Sequence, residues 1–259
     1  MKKYMSKYLL LLLFALSYVT AFAQADTKDA DEAYANAEYA KAISLYQEAI
    51  TNAPEPTSEL YYNLGCAFFK DNQIAPAVLA FERAYLIDPS DSDIKYNIEL
   101  ANSRTLDKID VAPTFFFSRW MDSLSHWFML NTWLTMGIVL FTLAVVCFLL
   151  FLFGRERLVR MISFYAFIVL LFLCGVSNAM AYKSYHFSHD DTGAIVMSEI
   201  VTVKSAPDMS SQDLVIIHAG LKVEVLQKVN GFVEVSLPDK TVGWISATDI
   251  EVINVFTNL

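Results

Sequence analysis

Polarity along the 259-residue chain follows three successive rhythms. Up to about residue 106, apolar residues recur three and four apart, the spacing of one helical face, in blocks ended by Pro54 and Pro89. Between Trp133 and Ala181, outside a short link at 154–160, polar residues almost disappear. From Gly193 onward β-branched residues come in short runs: Ala194-Ile195-Val196, Ile200-Val201-Thr202-Val203, Leu214-Val215-Ile216-Ile217, Val223-Glu224-Val225-Leu226, Phe232-Val233-Glu234-Val235 and Gly243-Trp244-Ile245. Ala206-Pro207, Ala219-Gly220, Asn230-Gly231 and Pro238-Asp239 separate them as turn formers, with Asn-Gly the strongest hairpin signal. The pattern predicts a multidomain α + β membrane protein with an α-helical array, a transmembrane helical hairpin and a small C-terminal β-barrel.

The two longest apolar runs, Trp133 to Phe153 and Met161 to Ala181, each reach about 30 Å as helices, the thickness of a bilayer's hydrocarbon core. The link between them, 154–160, carries Arg155, Arg157 and Arg160 against Glu156, so the positive-inside rule places it in the cytoplasm. At the start of the chain Lys2, Lys3 and Lys7 precede an apolar stretch and Ala21-Phe22-Ala23, the pattern of a signal peptide over 1–23. The two readings use separate residues and agree: 24–132 and 182–259 share the outer side. The expected location is the bacterial inner membrane, crossed twice, with both large domains in the periplasm. Before the first span Phe117, Trp120, Met121, Leu124, Trp127 and Phe128 predict an interfacial helix within 114–130. Polar residues inside the hairpin are only Thr135, Thr142, Ser163, Ser177 and Asn178, none ionisable, which favours an anchor over an ion or proton path. Gly175-x-x-x-Ala179 has the small-residue spacing of closely packed helices.

Charge is concentrated outside the hairpin. Residues 24–113 carry 16 Asp and Glu against 7 Lys and Arg, a net −9 that equals the charge of the whole chain. That balance, without any basic stripe, excludes nucleic acid as a partner. The same region repeats with a period of about 35 residues: Ala42/Ala77, Tyr46/Phe81, Ala49/Ala84 and Pro54/Pro89. Tyr61-x-x-Leu64-Gly65-x-x-Phe68, then Ala77-x-x-x-Phe81-x-x-Ala84 and Pro89, resembles the tetratricopeptide repeat at its signature positions. In that resemblance Gly65, Ala77 and Ala84 let two antiparallel helices approach while Tyr61, Leu64, Phe68 and Phe81 fill the space between them. The first copy is degenerate at its start, with Ala30 in place of the glycine. Tyr62-Asn63-Leu64 recurs as Tyr96-Asn97-Ile98, so a capping helix is expected at about 92–106, closing a repeat region that spans 24–110. The groove of such an array implies a peptide-binding surface with Tyr62, Asn63, Tyr96 and Asn97 as its candidate lining.

The C-terminal stretch, 194–254, resembles the bacterial SH3-like domain through Val203-Lys204-Ser205-Ala206-Pro207, Gly220-x-x-Val223-x-Val225, Gly231-Phe232 and Gly243-Trp244-Ile245. Lys204 stands where that family has arginine, and Phe232 where it more often has tryptophan. Relatives bind cell-wall glycopeptide or protein segments, which makes Phe232 and Trp244 candidates for the SH3-like ligand surface, with barrel core as the alternative role for both.

Reactive chemistry is sparse. Cys66, Cys147 and Cys174 form no disulfide framework or zinc spacing. Cys66 lacks a paired base and reads as a packing residue. His186, His189, Asp190 and Asp191 have metal-ligating side chains, yet a polar run at a membrane exit needs no metal to explain it, and His218 in an apolar strand reads as packed. No catalytic residues, metal or cofactor are expected. The order of modules, and most of all the run from Asp93 to Ile109, resembles the Bat (aerotolerance operon) group. That resemblance implies a role in envelope stress and oxygen tolerance beside sister membrane proteins with von Willebrand A domains and, indirectly, a MoxR-type ATPase. The expected function is therefore a non-enzymatic, membrane-anchored protein-interaction scaffold. The alternative is a cell-wall sensor that binds glycopeptide through the SH3-like domain.

Overall fold

A computed structural model describes residues 27–109 and 116–254. The expected signal peptide at 1–23 and the first residues of the expected interfacial helix lie outside the described residues. Among the described residues the fold is mixed α + β: eight α-helices followed by a seven-stranded antiparallel sheet.

Five helices form the N-terminal array: α1 (Lys28–Ala35), α2 (Tyr39–Asn52), α3 (Ser58–Lys70), α4 (Ile74–Ile87) and α5 (Ser92–Arg104). The 35-residue sequence period is also a conformational period. The turn between α1 and α2 places Ala37 in the left-handed region (φ 60°), and the turn between α3 and α4 places Asn72 there (φ 61°). Equivalent hydrogen bonds close both turns: the Ala37 and Glu38 amides donate to the Tyr34 and Ala33 carbonyls, and those of Asn72 and Gln73 to the Phe69 and Phe68 carbonyls. Asn tolerates this conformation through its short polar side chain, whereas Ala has no such compensation. The degenerate first copy thus keeps the turn without its favoured residue, and its first helix has 8 residues against 13 for α3. Thr57 and Asp91 cap α3 and α5 by accepting from backbone amides at their first turns, which fixes where these helices begin. Inside, Phe81 is fully buried against Gly65: a Cβ at position 65 would come within 2.7 Å of the Phe81 ring. That is the physical need for glycine there.

After the short helix α6 (Phe116–Ser125) come α7 (Leu130–Phe153) and α8 (Arg157–Ser188), both long and apolar enough to cross a membrane. The connection is Gly154–Glu156, shorter than the sequence suggested, because helix resumes at Arg157. At 1.5 Å per residue α8 is about 48 Å long, roughly 18 Å more than the thickness of a bilayer's hydrocarbon core. The close approach of the pair uses Gly137, not Gly175. A Cβ on Gly137 would lie 3.2 Å from Asn178 Nδ2, while one on Gly175 would meet nothing. The buried face of α8 runs through Cys174, Ser177, Ala181 and Ser184, and Gly175 falls off it. Across that face Ser177 Oγ donates to the Trp133 carbonyl at 2.7 Å.

The sheet order is β3-β2-β6-β5-β4-β1-β7, with β1 (Gly193–Val196), β2 (Ile200–Lys204), β3 (Asp213–His218), β4 (Lys222–Val229), β5 (Phe232–Ser236), β6 (Val242–Ser246) and β7 (Ile250–Val252). Asn230 and Gly231 both have positive φ, 49° and 82°, the turn expected from the Asn-Gly pair, and Val229 faces Phe232 across it. Irregular register at Val203/Lys204 and Val225/Gln227 bends the sheet around Val201, Val203, Ile217, Val233, Val235 and Ile245, all buried. β7 does not stand out in the sequence: Ile250-Glu251-Val252 alternates, but three residues are too few for a strand signal, and pairing with β1 supplies it.

Candidate functional site

The array and the sheet pack directly on each other through α4 and β1, and Ile195 and Ile253 belong to the same apolar core as the array's buried helices. Glu82, at 5% exposure, accepts from Lys222 Nζ at 2.7 Å. Its neighbour Arg83 donates to the Val252 and Ile253 carbonyls and pairs with Glu251 at 2.8 Å. Past the end of α5, the Asp107 carboxylate accepts from the His218 backbone amide at 2.6 Å and from its Nδ1 at 2.8 Å. His218 is thus a docking residue, not merely a packed one. Gly220, at φ +91°, brings the turn before β4 against Thr105: a Cβ there would sit 2.7 Å from the Thr105 methyl. One residue of each pair lies 111 to 170 positions from its partner, beyond the reach of local sequence patterns. One signal was present: α4, IAPAVLAFERAYLI, is apolar almost all round, the mark of a helix covered on both sides.

A second junction ties the array to the helical pair. Tyr85 of α4 lies 5.5 Å, ring to ring, from Phe187 near the end of α8, and its hydroxyl is 3.2 Å from His126 Nδ1, whose ring packs 4.4 Å from Phe187. Lys183 pairs with Asp122 of α6 at 2.8 Å, and Trp133 Nε1 donates to the Ser125 carbonyl. Burial holds the His126 imidazole below its ordinary pKa, aided by Lys95 and Lys183 and opposed by Asp122, and it pushes the Tyr85 hydroxyl up to about 12. His126 lies before α7, outside the apolar helices. The unfolded chain takes up this proton near pH 6.5, before the folded chain does. The junction's stability is therefore complete above about pH 6.5 and falls as the pH drops from there towards the lower folded value. We expect the protection of residues 185–188 from hydrogen exchange to fall between pH 7.5 and 5 in the wild type. In His126→Gln the same segment should show a flatter pH profile; an identical profile contradicts the assignment.

The expected groove residues are only partly brought together. Tyr62 on α3 and Asn97 on α5 meet: Asn97 Nδ2 donates to the Tyr62 hydroxyl at 3.2 Å and to the Asp93 carbonyl at 2.8 Å. Tyr62 is half-buried beside Phe81, and burial together with Cys66 pushes its hydroxyl up to about 12. Asn63 is half-buried one position on, while Tyr96 is 64% exposed. Burial also raises the Cys66 thiol, which opposes the thiolate a nucleophile requires.

In the sheet, the pair expected on a ligand surface divides. Phe232 is half-buried, but Trp244 is buried at 9% exposure. β6 runs between β5 and β2, so Trp244 sits opposite Glu234 on one side and Lys204 on the other. Among the described residues no group of three or more His, Cys, Asp or Glu could hold a metal. Near the end of α8, His189 bonds to Ser188 and the Tyr185 carbonyl, and Asp190 caps Thr192.

The chain matches no protein-family model and no curated protein to a significant degree.

Proposed function

We propose that this protein is a non-enzymatic scaffold of the bacterial inner membrane, anchored by the α7–α8 hairpin and exposing a tetratricopeptide array and an SH3-like module to the periplasm. Its resemblance to the Bat group supports a place in an envelope-stress and aerotolerance assembly, with von Willebrand A-domain membrane proteins as partners and a MoxR-type ATPase as an indirect one. The observation that carries the repeat reading is the recurrence of one turn, with its hydrogen bonds and left-handed residue, 35 positions apart. The docking between array and sheet sharpens the scaffold. The two modules act as one body at the end of α8, and none of their mutual contacts described above uses Tyr62, Asn63, Tyr96 or Asn97. A partner segment laid across α3 and α5 would meet an exposed aromatic ring at Tyr96 and the hydrogen-bonded Tyr62–Asn97 pair.

Alanine at Tyr62, Asn63, Tyr96 and Asn97 together is expected to lower recovery of partner proteins from native membranes about tenfold or more, as loss of a cluster of interface anchors does. Circular dichroism of the purified variant should match the wild type. Unchanged recovery with an intact spectrum removes the groove from the account. The wall-sensor alternative has less support, since the burial of Trp244 takes from it one of its two candidate aromatic contacts. Sedimentation of the full chain in detergent with purified wall sacculi tests it directly.

A further inference from the structure

The connection between α7 and α8 holds a cavity of about 490 Å³, and the residues around it are of an unusual kind for this chain. Arg155, Arg157 and Arg160 line it, over a floor that includes Phe151 and Phe164, whose rings lie 5.3 Å apart, with Tyr165 at its edge. The protein is acidic, with 28 Asp and Glu against 19 Lys and Arg, and several cations elsewhere pair with a carboxylate: Arg83 with Glu251, Lys183 with Asp122, Lys204 with Asp213, Lys222 with Glu82. Among the described residues none of the three arginines has an ion pair, although Glu156 stands in the same connection. Gly154 turns the chain so tightly that an added Cβ would press on the Leu150 carbonyl and lie 3.3 Å from the Arg160 stem. Helix α8 also begins here, and Glu156 at its N-cap makes no side-chain cap, so the first backbone amides of a 32-residue helix add partial positive charge.

We infer that this cavity is a binding site for the phosphate headgroup of an anionic phospholipid such as phosphatidylglycerol. Guanidinium groups match phosphate oxygens in paired, charge-assisted hydrogen bonds. Basic pockets between spanning helices on the cytoplasmic side are suited to such headgroups. The aromatic floor adds the second half of the fit. Phe151 and Phe164 give the glycerol and first acyl carbons an apolar surface, and Tyr165, 63% exposed, presents ring and hydroxyl where lipid meets water. A lipid, not a soluble phosphate, is the occupant, because the arginines share the lining with Phe151, Met161, Phe164 and Tyr165 of α7 and α8, the last three of them exposed. The site would hold this end of the hairpin at a fixed depth, opposite the end that bears the docked modules. The inference rests on the reading of α7 and α8 as membrane-spanning with their connection inside.

The test uses the full chain purified in mild detergent, with bound lipids counted by native mass spectrometry after exchange with equal phosphatidylglycerol and phosphatidylcholine. Retention of phosphatidylglycerol at tenfold or more over phosphatidylcholine is expected. Arg155→Gln, Arg157→Gln and Arg160→Gln, made singly so that two positive charges still orient the connection, should each lower it about fivefold, the effect of about 1 kcal/mol per basic residue near an anionic surface. Arg160→Lys should retain most of the binding, and Lys41→Gln, in the distant array, all of it. Equal retention of the two lipids, or glutamine variants that behave as wild type, overturns the site. Competition by glycerol phosphate as effective as the lipid reassigns the cavity to a soluble phosphate and overturns the lipid. Alkaline carbonate extraction separates the two levels of the account. Wild type that stays in the membrane pellet without lipid preference loses only the site; wild type released by carbonate loses the spanning hairpin as well.

Discussion

Replacement of Phe81 by alanine is expected to destabilise the helical array by about 3–5 kcal/mol, the cost of emptying a fully buried aromatic site. Phe81 is 1% exposed, its ring fills the space that Gly65 leaves open, and the Tyr62 ring lies 5.9 Å from it. The loss is more than a cavity. α3 and α4 meet through this ring, and the face of α3 that carries Tyr62 is positioned by it. In the full chain, the helical transition followed at 222 nm should move down by about 10 °C or more. Tyr96→Ala, at an exposed position on α5, should leave that transition in place while weakening partner recovery. A shift of only a degree or two for Phe81→Ala would mean that this ring does not organise the array.

Valine at position 220 is expected to separate the sheet from the array. Gly220 holds φ +91°, where a β-branched residue costs about 1–2 kcal/mol, and its side chain would collide with the Thr105 methyl, an overpacking of about 1–3 kcal/mol more. The sheet has a complete core of its own around Val203, Val233, Val235 and Ile245, so the damage should fall on the contact and the turn more than on the strands. Hydrogen exchange is the measurement. Residues 74–87 and 193–196 should lose protection in Gly220→Val while 232–236 keep theirs. Unchanged protection at α4 would show that the two modules do not stabilise each other.

Much of the architecture is written in local chemistry, which is why it could be read. The 35-residue period rests on small residues and prolines at fixed spacing, and the hairpin on uninterrupted apolar length. Asn230-Gly231 has the conformational freedom its turn demands. What escaped was set by distant neighbours. β7 is a strand only because β1 pairs with it, Trp244 is buried because β6 lies inside the sheet, and the helix pair closes at Gly137 because of where Ser177 and Asn178 fall. The docking pairs Glu82–Lys222 and Asp107–His218 join residues 140 and 111 positions apart, and no local pattern marks Asp107 or His218 as partners. Of the candidate groove, the repeat register identified Tyr62 and Asn97 but could not show that they bond to each other.

The most direct test of the scaffold is crosslinking in native membranes, with the tagged full chain isolated in mild detergent and both its partners and the crosslinked positions identified by mass spectrometry. The account predicts a defined set of membrane proteins attached through residues of α3 and α5, and their loss when Tyr62, Asn63, Tyr96 and Asn97 are alanine. Crosslinks confined to wall fragments, or the absence of any recurring protein partner at α3 and α5, would contradict it.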